Sequence, residues 1–128
     1  MPASAYQANL LAKELISENA TVYLALTITE PSKTVPGTEV TAAEYARFEF
    51  HQGTDWDDDD AGSLTVNLDL DYSPITTEDY DDEVVAVQAY DDPTAGNALW
   101  YIVLVTPRLF VIGETPKFLT GDLVLDVV

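Results

Sequence analysis

From Thr21 to the end of this chain the apolar residues recur at period two, in short runs parted by turn residues, with no helical pattern between them. That alternation is the strongest constraint on the fold. Successive side chains of a strand point to opposite faces, so a two-residue period predicts strands with one buried face. In Thr21–Thr29, Val22, Leu24, Leu26 and Ile28 face one way, and Thr21, Tyr23, Ala25 and Thr27 the other. Glu30-Pro31 stops the run, and Pro31 to Thr38, with Pro36-Gly37, reads as a loop. In Tyr45–His51, Ala46, Phe48 and Phe50 alternate with Arg47, Glu49 and His51. The cleanest alternation is Leu64–Leu70, with Leu64, Val66, Leu68 and Leu70 on the inward face. Val84–Tyr90 and Leu99–Thr106 are apolar on both faces, which predicts central strands. Leu123, Leu125 and Val127 alternate with Val124 and Asp126 in a last strand. Turn signals fall between these runs at Asp92-Pro93, Ala95-Gly96-Asn97, Gly113-Glu114 and Thr120-Gly121. The pattern predicts a mostly β fold, an antiparallel β-sandwich, and argues against alternating βαβ units.

Ahead of the strands, residues 4 to 17 read as one short helix. Ala8, Leu11, Ala12 and Leu15 form an apolar stripe, Ser4 suits the N-cap and Asn19 the exit. The expected division is an N-terminal helix over 1–18 and a β-sandwich over 19–128, one domain overall for 128 residues. The stripe is narrow, so the helix leans on the domain or on a partner, with Leu11 and Leu15 as candidate contacts and Pro36 beside them as a loop contact. Residues 1–12 lack the basic and long apolar regions of a signal peptide, and no apolar run reaches the length of a membrane span. With no cysteine, disulfides and thiolate metal sites are impossible.

Charge narrows the partners. Five Lys and Arg stand against 23 Asp and Glu, a net charge of −18, and no base occurs between Arg47 and Arg108. Phosphate binding needs cationic side chains, so nucleic acid is an unsuitable partner, and so is an anionic membrane. Surfaces this rich in Asp and Glu, with so little Lys, suit proteins of molar-salt cytoplasms and suggest a halophilic host.

Few residues offer chemistry. His51 is the one histidine and falls on the polar face of a predicted strand, where a surface histidine near carboxylates is the plainer reading than a catalytic base. No Gly-rich phosphate loop is present, and no reaction class has its components assembled, so no catalytic residue is assigned. The sharpest local feature is the run Asp55, Trp56, Asp57, Asp58, Asp59 and Asp60, followed by Ala61-Gly62. Calcium takes clustered carboxylate oxygens on a bent loop, so Asp55, Asp57, Asp58, Asp59 and Asp60 are candidate ligands of calcium or another cation. The EF-hand spacing fails, and a solvated acidic loop is the plainer reading, as it is for Glu78 to Glu83; no cofactor is required. Trp100 reads as core, whereas Trp56, beside the acids, reads as exposed and as a candidate partner contact.

The order of segments resembles a family of small tailed-phage proteins described as tail fibre or tail-associated. The resemblance rests on Thr21-Val22-Tyr23-Leu24-Ala25-Leu26-Thr27-Ile28-Thr29-Glu30-Pro31, then Gly37-Thr38-Glu39-Val40 leading to Tyr45-Ala46-Arg47. It continues through Gly96-Asn97 and a strand closing at Thr106-Pro107-Arg108, then Gly113-Glu114-Thr115-Pro116 and Gly121-Asp122-Leu123. The acidic stretch Thr76–Glu83 departs from the family pattern. These motifs read as strand ends, turn glycines and a buried-edge arginine. The resemblance implies a non-catalytic structural component of a tailed virion, in the tail tip, baseplate or fibre base, contacting other virion proteins and its own copies. A capsid decoration or turret subunit is the nearest alternative. A calcium-assisted carbohydrate-binding module for host attachment and an acidic DNA mimic are further ones.

Crowded acids give a testable consequence. Asp57 to Asp60 lie within about 10 Å along an extended chain, closer than the Debye length of about 8 Å lets salt at 0.15 M screen fully. Melting temperature should therefore rise with KCl, and replacing Asp57, Asp58, Asp59 and Asp60 with Asn should flatten that slope, the variant also controlling for general salt effects on apolar burial. A full slope in the quadruple variant counts against local repulsion. A rise with micromolar calcium at low salt would make the loop a metal site.

Overall fold

Tyr23 to Thr27 pair with one strand along one edge, and Thr21 to Leu24 with another along the opposite edge, so the first run sits inside a sheet. The computed structural model describes residues 21–32, 34–52, 54–58 and 63–126; the expected helix, with Leu11 and Leu15, lies outside them. The described strands are β1 (Thr21–Thr27), β2 (Phe48–His51), β3 (Trp56–Asp58), β4 (Ser63–Val66), β5 (Leu70–Asp71), β6 (Val84–Tyr90), β7 (Ala98–Arg108), β8 (Lys117–Phe118) and β9 (Val124–Asp126). They form three sheets, ordered β2-β1-β6-β7, β3-β4-β9 and β5-β8, and every pairing is antiparallel. The chain is mostly β, as its alternation predicts.

One apolar cluster joins the sheets. Val22, Leu24 and Leu26 of β1, Phe50 of β2, Leu64 and Val66 of β4, Leu70 of β5, Val84 and Val87 of β6 and Phe118 of β8 all lie in it, fully or almost fully buried. Two aromatic groups tie it together. Phe50, Trp56 and Trp100 meet with ring centroids 5.0, 5.2 and 6.4 Å apart, joining β2 and β7 to β3. Tyr45, Tyr72, Phe118, Phe110 and Tyr80 close a ring of contacts at 5.8 to 6.4 Å. Tilted and edge-on pairs of this kind add about 0.5–1.5 kcal/mol each beyond area burial.

Two strand expectations change. Leu64–Leu70 keeps its inward face but does not run as one strand: β4 and β5 enter different sheets, with Asn67 to Asp69 between them. Asn67 explains the break, since its side chain donates to the Thr54 carbonyl at 2.9 Å while its amide donates to Asp55 at 3.0 Å. Leu99–Thr106, apolar on both faces, is not central. It belongs to β7, an edge strand among the described residues, whose pairing with β6 shifts register between Val103 and Arg108 and whose C-terminal half is largely exposed. Val84–Tyr90 is central, as predicted, and matches β6 to the residue.

Beyond Leu24 strand β1 outruns β2, and its free groups find other partners. Leu26 donates its amide to the Tyr45 hydroxyl at 2.9 Å, and its carbonyl accepts from the Val40 amide at 3.0 Å. The Tyr45 hydroxyl in turn donates to Glu39, whose two carboxylate oxygens also accept from Arg47 Nε and Nη2, each at 2.9 Å. Arg47 Nη1 then donates to the carbonyls of Asp92 and Ala95, both at 2.8 Å, and the guanidinium lies 4.0 Å from the Tyr90 ring centre. The Arg47 side chain is 6% exposed and that of Glu39 27%. Gly37 completes this corner: a Cβ there would come within 2.5 Å of the Thr29 carbonyl oxygen and 2.9 Å of the Thr27 Cβ.

Removing the guanidinium would leave the partly buried Glu39 carboxylate with the Tyr45 hydroxyl alone and take the side-chain donor from two hairpin carbonyls. Arg47→Ala should cost about 3 kcal/mol in urea unfolding, and Arg47→Lys should restore only part of it because an ammonium cannot bond bidentately. A loss below about 1 kcal/mol for Arg47→Ala, the range of an exposed pair, would refute the assignment.

Candidate docking surface

The acids fold back on the chain rather than gather at a site. Glu44 accepts the amides of Thr76 and Thr77 at 2.5 and 2.8 Å, together with both hydroxyls. Its carboxyl is thereby lowered to about 2, the Thr76 hydroxyl being the largest cause and the two amides following. Asp69 takes the Thr120 amide at 2.8 Å, and Asp92 the amides of Thr94 and Ala95 at 2.9 and 3.0 Å; both are held below the usual carboxylate range by those amides. The Glu78–Glu83 cluster, read from sequence as solvated, behaves in the same way. Glu78 accepts from the Ala43 amide at 2.7 Å, Asp79 from Ile112 at 2.8 Å, and Asp81 from the Thr41 hydroxyl. Between them Tyr80 turns inward onto Phe110 and is buried, which pushes its hydroxyl up to about 12.

The Asp55–Asp60 run divides. Asp55 accepts the His51 amide at 2.8 Å and closes the turn after β2. Asp57 is exposed and receives the Asn67 side chain at 3.3 Å. Asp58 lies in β3 opposite Leu64, and Asp59 and Asp60 lie outside the described residues. Among the described residues no three His, Cys, Asp or Glu side chains converge where a metal could sit. Trp56 is not exposed, contrary to the sequence reading. Its register opposite Val66 sets it on the inward face of β3, and it is 7% exposed against Phe50 and Trp100. Acidic neighbours misled because alternation, not local polarity, decides which face a strand residue takes. His51 is exposed on β2, and Pro36 is exposed beside Val35 in the loop after β1.

What the sequence reading missed is an apolar surface around β7. Between Asp92 and Glu114 the chain carries no acid, although it has 23 in all. Within that stretch Val105 is fully exposed, Leu109 and Ile112 are half exposed, and Val103 and Val111 are partly so. Leu119 and Val124 extend the patch from the neighbouring turn and β9. A shallow groove of about 320 Å³ runs between β7 and β9, lined by Val103, Val105, Arg108, Phe118, Leu123 and Val124 among others. A second, of about 490 Å³, continues along the first half of β7 past Leu99, Tyr101 and Leu125 to Val35 and Pro36. Five of the eight large exposed apolar side chains of the described residues, Val35, Val103, Val105, Leu109 and Val124, lie on β7, directly after it in the chain or in these grooves. Arg108 stands at its end, its carboxylate partner Asp122 at 3.5 Å and its Nη1 donating to the Lys117 carbonyl at 2.9 Å. The acid-free interval was visible in the sequence and would have marked this face; reading the strand as central concealed it. Exposed apolar residues gathered along grooves are a general feature of interaction sites.

A family model described as "Podophage GP4 fiber I protein gp80" matches residues 2–126. No curated protein was found to match the chain.

The amide-binding acids fix how stability responds to acid. Glu44 has its pKa lowered on folding, so its contribution is fully present above its ordinary value of 4.5 and is lost as pH falls through about 2. Glu44→Gln should lower the melting temperature at pH 7, and the gap from the wild type should close between about pH 4.5 and 2. A gap of constant size across that window would mean that the charge of Glu44 does not matter.

Proposed function

The chain belongs to the podophage GP4 fiber I protein gp80 family, and on that premise we propose that it is a non-catalytic structural subunit of the tail-fibre apparatus, docked to its neighbours across the acid-free face around β7. Its location is the virion, and its role is tail-associated. The observation that carries the docking reading is the concentration of exposed valine, leucine and isoleucine on and beside β7, in a chain whose other surfaces are dense in carboxylates. Burying such side chains contributes roughly 25 cal/mol per Å² removed from water, and a virion neighbour supplies the cover.

A non-catalytic role is supported by what the acids do: they accept loop amides and hydroxyls instead of facing one another across a cleft. The finer fold belongs to the same proposal. The four-stranded and three-stranded sheets are read as the two layers of a sandwich, with Phe50, Trp56 and Trp100 filling the space between. No cofactor is needed for such a part, nucleic acid and membrane are unsuitable partners at this charge, and a halophilic host fits the 23 acids against five bases.

The test is incorporation. Val105→Glu and Val103→Glu put charge on exposed positions without disturbing the core, so circular dichroism and melting temperature should stay close to wild type. Their copy number in purified particles, read by quantitative mass spectrometry, should fall about tenfold or more, the effect of losing about 1.4 kcal/mol of docking energy. Normal incorporation of both variants would place the contact elsewhere.

A further inference from the structure

The groove of about 490 Å³ between the loop after β1 and the first half of β7 has no charged residue in its lining, in a chain with 23 acids. It lies where the pairing of β7 is irregular. Gln88 pairs with Tyr101 and Tyr90 with Ala98, so two steps along β6 meet three along β7. One extra residue of β7 is taken up there as a bulge, and a bulge bends its strand and re-aims the side chains beside it. The facing wall is a turn in which the Ser32 amide donates to the Val35 carbonyl at 2.9 Å and the Ser32 hydroxyl accepts the Val35 amide at 3.1 Å.

Gln88 lines this groove although it is only 3% exposed. Its Oε1 accepts from the Gly37 amide at 3.1 Å and from the Tyr90 hydroxyl at 3.4 Å. A backbone N–H can only donate, so the side-chain oxygen has to stand on the Gly37 side and Nε2 on the other. Among the described residues Nε2 has no acceptor. A buried donor without an acceptor is unfavourable, and such a group takes its partner from water or from a ligand. The rim supplies complementary groups. The Ser32 hydroxyl accepts the amides of Thr34 and Val35, which leaves its own hydrogen to give. Asn97 commits its side-chain nitrogen to Asp91 at 3.2 Å, which leaves its side-chain oxygen to accept. Tyr101 is half-buried and brings an aromatic ring.

These groups select a ligand by chemistry. It must present oxygen acceptors to Gln88 and Ser32, a donor to Asn97 and an apolar face to Tyr101 and Leu99. An anion finds no base in the lining and is repelled by a net charge of −18. A simple cation offers Nε2 no acceptor. A neutral sugar meets every term: its hydroxyls both give and accept, and the C–H face of its ring covers an aromatic side chain. The volume also falls in the range of small-ligand sites, about 300–1,000 Å³, which favours a sugar unit over an extended peptide. We propose that this groove binds an uncharged saccharide unit, with Gln88 Nε2 donating to one of its oxygens and Tyr101 lying against its ring. The site goes beyond the docking role and does not rest on it, since neither Val103 nor Val105 lines this groove.

The probes are the methyl glycosides of glucose, galactose, mannose and N-acetylglucosamine, with glucuronate and a capped tri-alanine peptide as controls. Each is titrated into the full isotope-labelled chain, and the side-chain amide resonances of Gln88 are followed by NMR. At least one neutral sugar should shift them, saturating with a millimolar Kd or tighter. Tyr101→Ala should weaken that binding about tenfold, and Tyr101→Phe, which keeps the ring, by less. Circular dichroism should be that of the wild type for both variants. A shift with none of the sugars overturns the site, and so does unchanged affinity in a folded Tyr101→Ala. A shift with the peptide alone makes this a peptide groove, and glucuronate binding as well as the neutral sugars removes the argument from charge; either overturns the saccharide. Val105→Glu, outside the groove, should bind the sugar as the wild type does. If the sugars leave Gln88 unmoved while Val105→Glu is lost from particles, the saccharide site falls and the proposed function stands. If Gln88 shifts while Val105→Glu enters particles normally, the saccharide site stands and the docking role falls.

Discussion

The carboxylate of Glu39, shared between Tyr45 and Arg47, holds the geometry on which the larger sheet depends. Strand β1 is longer than its neighbour β2, so its far end would expose the backbone of Leu26 inside the fold. The Tyr45 hydroxyl accepts that amide, and its own hydrogen bond to Glu39 holds the ring in place to do so. Arg47 meets both oxygens of Glu39 and places Nη1 on the carbonyls of the β6–β7 hairpin. A chain of single contacts thus runs from β1 through the loop before β2 to the start of β7. Burying an ion pair is seldom favourable for its own sake. Its use here is positional: three segments distant in sequence are fixed relative to one another by groups with directional bonds.

With few cations available, most loops are closed another way. A carboxylate accepts hydrogen bonds only, and the commonest donors a loop offers are its own amides. Glu44, Asp69, Asp79, Asp92 and Asp122 each take an amide from a turn or from a neighbouring loop, at 2.5 to 2.9 Å. Such bonds do not need a second charge, so they do not consume lysine or arginine. A surface can then be almost wholly anionic and still have its loops pinned, which is the condition a highly acidic virion part has to meet.

Much of this was legible in the sequence because period two is a direct imprint of strand geometry. It gave β1, β6 and the inward faces of β4 and β5, and the motif residues Glu39, Tyr45 and Arg47 turn out to be one bonded node. Gly96, Gly113 and Gly121, singled out in turns, all take positive φ, where a side chain would be strained. What was not legible follows from contacts between distant residues. Trp56 lies among acids along the chain but opposite Val66 across the hairpin, and only the pairing reveals the burial. The acids of 78–83 are exposed, as read, but that Glu78 and Asp79 also hold the amides of Ala43 and Ile112 is visible only in the fold.

The misreading of β7 has a different origin. An apolar residue on both faces of a strand records that both faces are kept from water, and says nothing about which molecule excludes the water. Applied to a single chain, the pattern becomes a central strand. β6 satisfies it within the chain, paired on both sides and buried. β7 is likewise apolar on both faces, but among the described residues it pairs on one side only, and Val105 is wholly exposed. The two strands differ in their described partners: β6 lies between β1 and β7, and β7 has one on a single side. In a surface where carboxylates stand almost everywhere else, their exclusion from Asp92 to Glu114 is the same signal written in charge. On the docking proposed above, a contact made only in the particle leaves in the monomer's sequence the mark of a core strand.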